Sequence, residues 1–369
     1  MLLGVDTGGT FTDFVLSDGD GALRIHKLLS TPQAPEEAIV QGVRELGLDR
    51  GEDLRVIHGS TVATNAVLEG KGARTALITN RGLADMLSIG RQVRHALYDL
   101  QPRPTSPPVP PELCLETGGR LDAQGRVIEP LTDADLEELR RKLRALAPEA
   151  VAINLLFSFL DERFERAVEG IVPEGVFVSR SSAVLREYKE YERGVTTWLN
   201  AYVGPLVDGY LQRLQAALAP AALAVMQSSG ATIEARQAGR QAVHLLLSGP
   251  AGGLSGARYV ARRAGREQVL TFDMGGTSTD VALIHGEPQL TSEGHIGGYP
   301  VAIPMVDMHT IGAGGGSIAW VDAGGLLQVG PRSAGAHPGP ACYGRGGEAP
   351  TVTDAHLVLG RLRPEAFLG

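Results

Sequence analysis

The residues best suited to chemistry in this chain come as a matched pair. Asp6-Thr7-Gly8-Gly9-Thr10-Phe11-Thr12-Asp13 and, 267 positions later, Asp273-Met274-Gly275-Gly276-Thr277-Ser278-Thr279-Asp280 both read D-x-G-G-T-x-T-D. At ordinary residue frequencies the six specified positions match by chance on the order of 10⁻⁷ per start site, so two copies are not coincidence. Gly8 and Gly9, like Gly275 and Gly276, leave no side chain between backbone N–H groups and an approaching phosphate. Thr7, Thr10, Thr12, Thr277 and Thr279 can add hydroxyl donors. Asp6, Asp13, Asp273 and Asp280 would repel a bare phosphate, which calls for a cation between them. Mg²⁺ fits, because it takes one or two carboxylates plus phosphate oxygens and keeps several waters. The bland alternative is a tight hairpin whose glycines supply unusual backbone angles and whose Asp and Thr side chains cap the turn. A matched second copy weighs against it. Two such loops imply a cleft that clamps a nucleotide between two related halves.

The flanking residues say what must position these loops. Each follows a short apolar run, Leu2-Leu3-Gly4-Val5 or Val269-Leu270-Thr271-Phe272, and precedes another, Phe14-Val15-Leu16 or Val281-Ala282-Leu283-Ile284. A turn comes next, at Asp18-Gly19-Asp20-Gly21 or His285-Gly286-Glu287-Pro288, and then a third extended stretch. Each unit reads as strand, Gly-rich loop, strand, turn, strand. Between the units strands and helices alternate, which is α/β. A helix opens at Pro35, carries Ile39, Val43 and Leu46 on one face and stops at Gly47. Val56–Asn65 reads as a strand into a small polar loop, followed by a helix through Val67-Leu68, and further strands are expected at Ala76–Thr79, Val151–Phe157 and Val176–Ser179. Thr132 with Asp135 caps a helix carrying Leu136, Leu139 and Leu143, and another helix covers Asp161–Glu169. Glu187–Ala219 reads as helix broken near Gly204-Pro205, its aromatics Tyr188, Tyr191, Trp198 and Tyr202 serving packing. Ser248–Gly253 opens a further helix rich in small residues, and the six prolines between Gln101 and Glu112 read as a rigid surface excursion.

Bulk properties narrow the class. With 369 residues the chain has room for two domains, divided here as 1–185 and 186–369, each carrying one loop. A net charge of −8 argues against nucleic acid or an anionic membrane as the main partner. Cys114 and Cys342 are the only thiols and form no C-x-x-C pattern, which suits a reducing cytoplasm. The N-terminus runs straight into the first loop, so no signal peptide is expected, and no apolar stretch is long enough to span a membrane.

The chain resembles the A-type subunit of the hydantoinase/5-oxoprolinase family, related to acetone and acetophenone carboxylase subunits. The resemblance runs over essentially the whole sequence. It is carried by Gly4–Asp13, His58–Asn65, Lys71–Ala76, Gly90-Arg91-Gln92 with Tyr98-Asp99-Leu100, Ser248–Gly253 and Phe272–Asp280. His309–Ser317, Pro338–Gly344 and Pro350–Asp354 continue it. What it implies is a two-domain actin-like ATPase fold, ribonuclease H-like, with ATP and Mg²⁺ between the halves. It also implies a small cyclic amide as substrate and a hydantoinase B-type subunit as partner. A cyclic amide is a poor electrophile because resonance stabilises it; phosphorylating its oxygen exposes the carbon to water. Asp6 and Asp273 are then the first candidates for catalytic, Mg²⁺- or water-positioning carboxylates, with Asp13 and Asp280 fixing the loops. Two other readings stay open: a ketone carboxylase subunit using the same activation, and a non-catalytic assembly partner. His309 with Asp307, His337 with Cys342, and His356 with Asp354 have no recognised metal spacing, and Cys342 has no assignable base.

In this family the A chain continues well beyond residue 369, with a later glycine-rich loop that contacts adenosine; Gly312–Gly316 follows the second motif too closely to stand for it. Phosphate contacts without base contacts predict that ATP, GTP and inorganic triphosphate, each with Mg²⁺, stabilise the chain alike. A ligand at ~100 times its Kd adds about 2.7 kcal/mol, which a thermal melt resolves. A strong preference for ATP over GTP would overturn this expectation.

Overall fold

The computed structural model describes residues 1–8, 11–18, 21–31, 34–48, 53–93, 98, 100, 108–335 and 337–366. Gly9, Thr10, Gly19, Asp20, Asp99 and 101–107, with Pro102, Pro104 and Pro107, lie outside the described residues. The first motif joins β1 (Leu2–Thr7) to β2 (Phe11–Ser17) as an antiparallel hairpin with Asp6 opposite Asp13. Alternation sends Leu3, Val5, Phe14 and Leu16 to one face, and none of the four is more than 3% exposed. β3 (Leu23–Leu29) adds to β2 antiparallel, and β4 (Arg55–Ser60) pairs with the outer edge of β1 in parallel. Ala222–Met226 and then Thr232–Glu234 complete a six-stranded mixed sheet.

The crossover from β3 to β4 is the helix Pro35–Glu45. Pro35 suits a first turn, Glu36 and Glu37 favour its positive end, and Gly47 at φ +73° ends it. Ile39 and Val43 are buried in the same core as Phe14, and Gly42 faces the Phe14 ring, where a Cβ would overlap it. A second sheet is wholly parallel, in the order Phe177–Arg180, Ala150–Asn154, Thr75–Asn80, Cys114–Thr117. The expected cap at Thr132 is present as a full capping box with Asp135, opening the helix Asp133–Leu146.

Three local expectations fail for physical reasons. The helix Glu190–Leu218 runs through Pro205 without a break. Leu199, Val203, Val207 and Leu211 are all buried along it, and Phe177 packs against Gly204, so tertiary burial outweighs the lost N–H of one proline. The strand expected to reach Phe157 ends at Asn154, because Phe157 takes φ +58° and the buried Arg193 draws the Leu155 carbonyl into a 2.9 Å hydrogen bond. In the second copy, Gln268–Met274 and Thr279–His285 form the expected hairpin with Asp273 opposite Asp280, but the third strand shrinks to Glu287–Pro288. Pro288 has no N–H to extend the ladder, and His309–Ile311 takes the place beside Thr279–Val281.

His58, on β4, is fully buried. Its Nδ1 lies 3.4 Å from the Val5 carbonyl and its Nε2 2.7 Å from the Tyr210 hydroxyl. A carbonyl only accepts, so Nδ1 carries the proton and Nε2 accepts from tyrosine. Burial holds this imidazole neutral, with its pKa pushed down to about 4. The unfolded chain therefore binds a proton below about pH 6.5 that the folded chain refuses until about pH 4. Stability from this group is intact above pH 6.5 and falls by up to about 3 kcal/mol on acidification towards pH 4. In urea titrations at a series of pH values, His58→Gln is expected to be less stable at pH 7.5 yet to lose less on acidification. Parallel pH profiles for the two proteins would refute this.

Candidate functional site

Both motif loops are closed by the same bond. Gly8 N–H donates to the Phe11 carbonyl at 3.0 Å and Gly275 N–H to the Ser278 carbonyl at 2.9 Å. The first glycine's N–H is thus consumed in the turn. In the second loop the N–H groups of Gly276 and Thr277 have no acceptor among the described residues, and both residues are exposed. The buried Thr12 hydroxyl pairs with Ser30 at 3.0 Å, and Ser30 donates to the Gly8 carbonyl at 2.8 Å. Thr279 donates to the Ala313 carbonyl at 2.6 Å. These two hydroxyls brace their loops rather than face open space. Thr7 differs: its Oγ1 is buried with no hydrogen-bond partner among the described residues. A buried hydroxyl without a partner costs free energy unless a bound group or water satisfies it.

The four motif aspartates divide into two kinds. Asp13 sits across from Lys27 on β3 and forms a 2.6 Å ion pair with it, and Asp280 accepts a 2.7 Å hydrogen bond from Thr310. Both are engaged in holding strands. Asp6 has no such partner among the described residues: burial, then Asp13, then Asp273 raise its pKa, and Lys27 acts the other way. Asp273 comes from the equivalent position of the other hairpin, so the fold brings the two copies' leading carboxylates into one electrostatic field. Gly59 on β4 stands opposite Asp6, and a Cβ there would lie 3.0 Å from Asp6 Oδ1. Gly249, in the first turn of the helix Ser248–Arg263, approaches the same oxygen, with its Cβ position 4.0 Å away. Ser248 ties that helix to the end of β4 through the Ser60 carbonyl at 3.0 Å. A helix N-terminus, two glycines and a turn with free N–H groups together suit an anion.

A glycine run that sequence reasoning left without a structural role closes the second loop from outside. Gly315 and Gly316 donate to the carbonyls of Gly275 and Gly276 at 2.9 and 2.6 Å. A Cβ on Gly314 would stand 2.6 Å from the Gly275 carbonyl oxygen, so only glycine allows this approach. Gly59, Gly249, Gly314, Lys27 and Ser30 were all missed as site residues. Among the described residues no three His, Cys, Asp or Glu side chains come together to hold a metal ion, so the His309, His337 and His356 pairings form no such cluster. The Cys342 thiol is pushed up to about 11 by burial and by Asp354, the reverse of an activated nucleophile.

Comparison with known proteins places this geometry. The hydantoinase/oxoprolinase N-terminal region matches residues 2–176 and the hydantoinase/oxoprolinase family matches residues 193–369. The chain belongs to the hydantoinase/oxoprolinase family. Caprolactamase subunit alpha of Pseudomonas jessenii is 38% identical over 100% of this chain and 55% of its own length. The crystal structure of that ATP-dependent caprolactamase superposes with a TM-score of 0.80 at 36% identity, over 98% of this chain and 55% of its own. Nucleotide-free acetone carboxylase gives a TM-score of 0.82 at 31% identity, over 100% and 56%. The fold is thus the α/β, actin-like ATPase type that the family resemblance implies. The chain spans about half the length of the relatives it matches.

The family's site can be tested for its fit to Mg²⁺ and a polyphosphate on these residues alone. An all-protein Mg²⁺ cage is absent among the described residues. What is present among the described residues is Asp6, its charge disfavoured by burial, by Asp13 and by Asp273, an unpartnered Thr7 hydroxyl and free N–H groups at Gly276 and Thr277. That donor set fits Mg²⁺ held mainly by phosphate oxygens and water, with one or two carboxylates. The raised pKa of Asp6 also carries a stability cost. Its folded pKa lies above its unfolded one, so stability from this group falls as pH rises through that interval. Asp6→Asn is therefore expected to raise the melting temperature at pH 7, with the gain vanishing near pH 4. Calorimetry at the two pH values measures it, and a variant less stable than wild type at pH 7 would contradict the assignment.

Proposed function

We propose that this chain is the nucleotide-binding part of an ATP-dependent cyclic-amide hydrolase of the caprolactamase and 5-oxoprolinase kind. The observation that carries the reading is the convergence of Asp6 and Asp273, equivalent residues of two copied hairpins, in one field that raises the Asp6 pKa. Two repelling carboxylates beside loops built for phosphate need a cation, and Mg²⁺–ATP supplies both missing partners. The relatives support it: caprolactamase subunit alpha, and a 5-oxoprolinase of Arabidopsis thaliana 35% identical over 98% of this chain and 31% of its own length.

In this reading Asp6 and Asp273 hold Mg²⁺ or orient its waters, while Gly8, Gly9, Thr10, Gly275, Gly276 and Thr277 line the phosphates. Bound ATP would supply a phosphoryl group that turns the amide oxygen into a leaving group. Thr7 donates or accepts the one hydrogen bond its buried hydroxyl lacks. Asp13, Asp280, Thr12 and Thr279 keep the turns in shape, so that the free N–H groups are aligned before a ligand arrives, which is where positioning gains its rate. The division at residues 185 and 186 assigns one loop to each half. A hydantoinase B-type subunit is the proposed partner, consistent with the naming of the caprolactamase relative as a subunit. The two thiols and the acidic charge fit a cytoplasmic setting.

A second reading has its own support, since acetone carboxylase matches the fold as well as caprolactamase does. Bicarbonate separates them. The chain, assembled with its partner, is expected to release ADP in response to a lactam without bicarbonate. Asp6→Asn and Asp273→Asn should each lower that rate on the order of 10²-fold or more with the fold intact by circular dichroism. Turnover that requires bicarbonate and a ketone would favour the carboxylase, and near-wild-type rates in both variants would remove the carboxylates from the mechanism.

A further inference from the structure

In a trans peptide unit the carbonyl and the following N–H lie in one plane and point in opposite directions, so anchoring the carbonyl aims the N–H. The carbonyl of Gly275 shares its plane with the Gly276 N–H, and the carbonyl of Gly276 with the Thr277 N–H. Neither unit is cis. Both carbonyls are held from outside, by the N–H groups of Gly315 and Gly316 at 2.9 and 2.6 Å. The two N–H groups of this loop that have no acceptor among the described residues are therefore the far ends of two anchored units.

The anchor is itself anchored. The Gly316 N–H that grips Gly276 shares its plane with the Gly315 carbonyl, which accepts both the backbone N–H and the hydroxyl of Thr353, each at 2.8 Å. Thr353 is buried in the first turn of the helix Val352–Val358. Asp354 fixes that turn, accepting from the Thr351 N–H at 2.9 Å, the Thr351 hydroxyl at 2.7 Å and the Cys342 N–H at 2.7 Å. From the Thr353 hydroxyl to the Thr277 N–H there runs one line of alternating donors and acceptors, in which each bond polarises the next. Glycine is what lets the planes meet. A Cβ on Gly315 would lie 2.7 Å from Thr353 Oγ1, and one on Gly316 2.9 Å from the Gly276 carbonyl oxygen.

The first copy reaches the same end by other means. Gly8 is the counterpart of Gly275, and its carbonyl is held by the Ser30 hydroxyl at 2.8 Å, from a segment unlike 312–316. Two unrelated segments grip the same carbonyl of the motif, which ties the grip to the work of the loop and not to one accident of packing. We propose that Thr353 is a positioning residue of the second phosphate loop. Its hydroxyl, acting through the Gly315–Gly316 and Gly276–Thr277 peptide units, aims the Thr277 N–H at a phosphate oxygen. This rests on the reading of the loop as a phosphate site. It gives Pro350–Asp354 a part in binding without any contact to the ligand.

The test uses the full chain with Mg²⁺ and inorganic triphosphate. Thr353→Val removes the hydroxyl at nearly constant shape, while Thr353→Ser keeps it. Calorimetric titration is expected to show binding weakened ~10-fold by valine and restored to within about twofold of wild type by serine. A threonine that served only the fold would lower the melting temperature and leave affinity below the melt unchanged. That result overturns the proposal, as does equal weakening by both variants. A second measurement needs no change at Thr353. Carbonyl-¹³C glycine with ¹⁵N-threonine isolates the amides of Thr10 and Thr277, which alone follow glycine, and Thr10→Ser tells them apart. Triphosphate should move the Thr277 amide proton downfield. Binding that leaves this amide unmoved refutes the relay and lets the phosphate reading stand. No binding of triphosphate by the wild-type chain refutes the phosphate reading itself and takes the proposal with it.

Discussion

The setting of one carboxylate, Asp6, is the constraint on which the site depends: burial, Asp13 and Asp273 all disfavour its charge. Asp6 and Asp273 occupy the same position in two hairpins more than two hundred residues apart in sequence, and Asp6 feels Asp273 through its raised pKa. Several features of the site follow from accommodating that side chain. Gly59 and Gly249 clear the space around Asp6 Oδ1, because any side chain there would crowd the carboxylate. Asp13, paired with Lys27, stands directly across the hairpin and raises the Asp6 pKa more than Asp273 does, while Lys27 acts the other way. The N-terminus of the helix Ser248–Arg263, fastened to β4 through Ser60, brings partial positive charge to the same corner. A fold optimised for stability alone would have no reason to leave Asp6 in this setting.

The rigidity of the arrangement comes from neighbouring sheets and helices rather than from the loops. β1 is held on both edges, by β2 and by β4, and its inner face is buried in the same core as the helix Pro35–Glu45 and the long helix Glu190–Leu218. His58 and Tyr210 join that helix to β4 in the interior, one strand away from Asp6. The second loop is braced differently. Its carbonyls at Gly275 and Gly276 are gripped by the glycine run 312–316, which Thr353 in turn holds through the Gly315 carbonyl at 2.8 Å. One motif thus has two supports: a complete sheet in one copy, a backbone clasp and an uncovered sheet face in the other.

Much of this was legible in the chain itself. The repeated motif gave the strand–loop–strand order of both units, because an apolar run on either side of a Gly-Gly turn reads as two strands and a turn, while the register that sets Asp6 opposite Asp13 and Asp273 opposite Asp280 comes from the structure. The capping box at Thr132 and the stop at Gly47 were equally readable, since both depend on side chains within one turn of the helix end. The roles of Thr12 and Thr279 were not. A hydroxyl in a phosphate-loop motif reads as a ligand until the structure shows it bonded to Ser30 or to the Ala313 carbonyl.

What the sequence determined by itself was local: the strand–loop–strand units, most helices, and the residue types suited to phosphate and a divalent cation. These follow from short-range rules of alternation, capping and turn chemistry that need no knowledge of the rest of the chain. Tertiary structure decided everything that depends on an approach between distant segments. It carried the helix Glu190–Leu218 through Pro205 because its buried side chains outweigh one missing hydrogen bond. It chose Gly59, Gly249 and Gly314 as the glycines that matter, since only packing shows which glycine faces another group at 3–4 Å or less. It also brought Asp6 within the field of Asp273 and left Leu270 and Phe272 exposed where Leu3 and Val5 are buried. Identical local patterns cannot encode that difference, because burial belongs to the neighbours a segment finds and not to the segment itself.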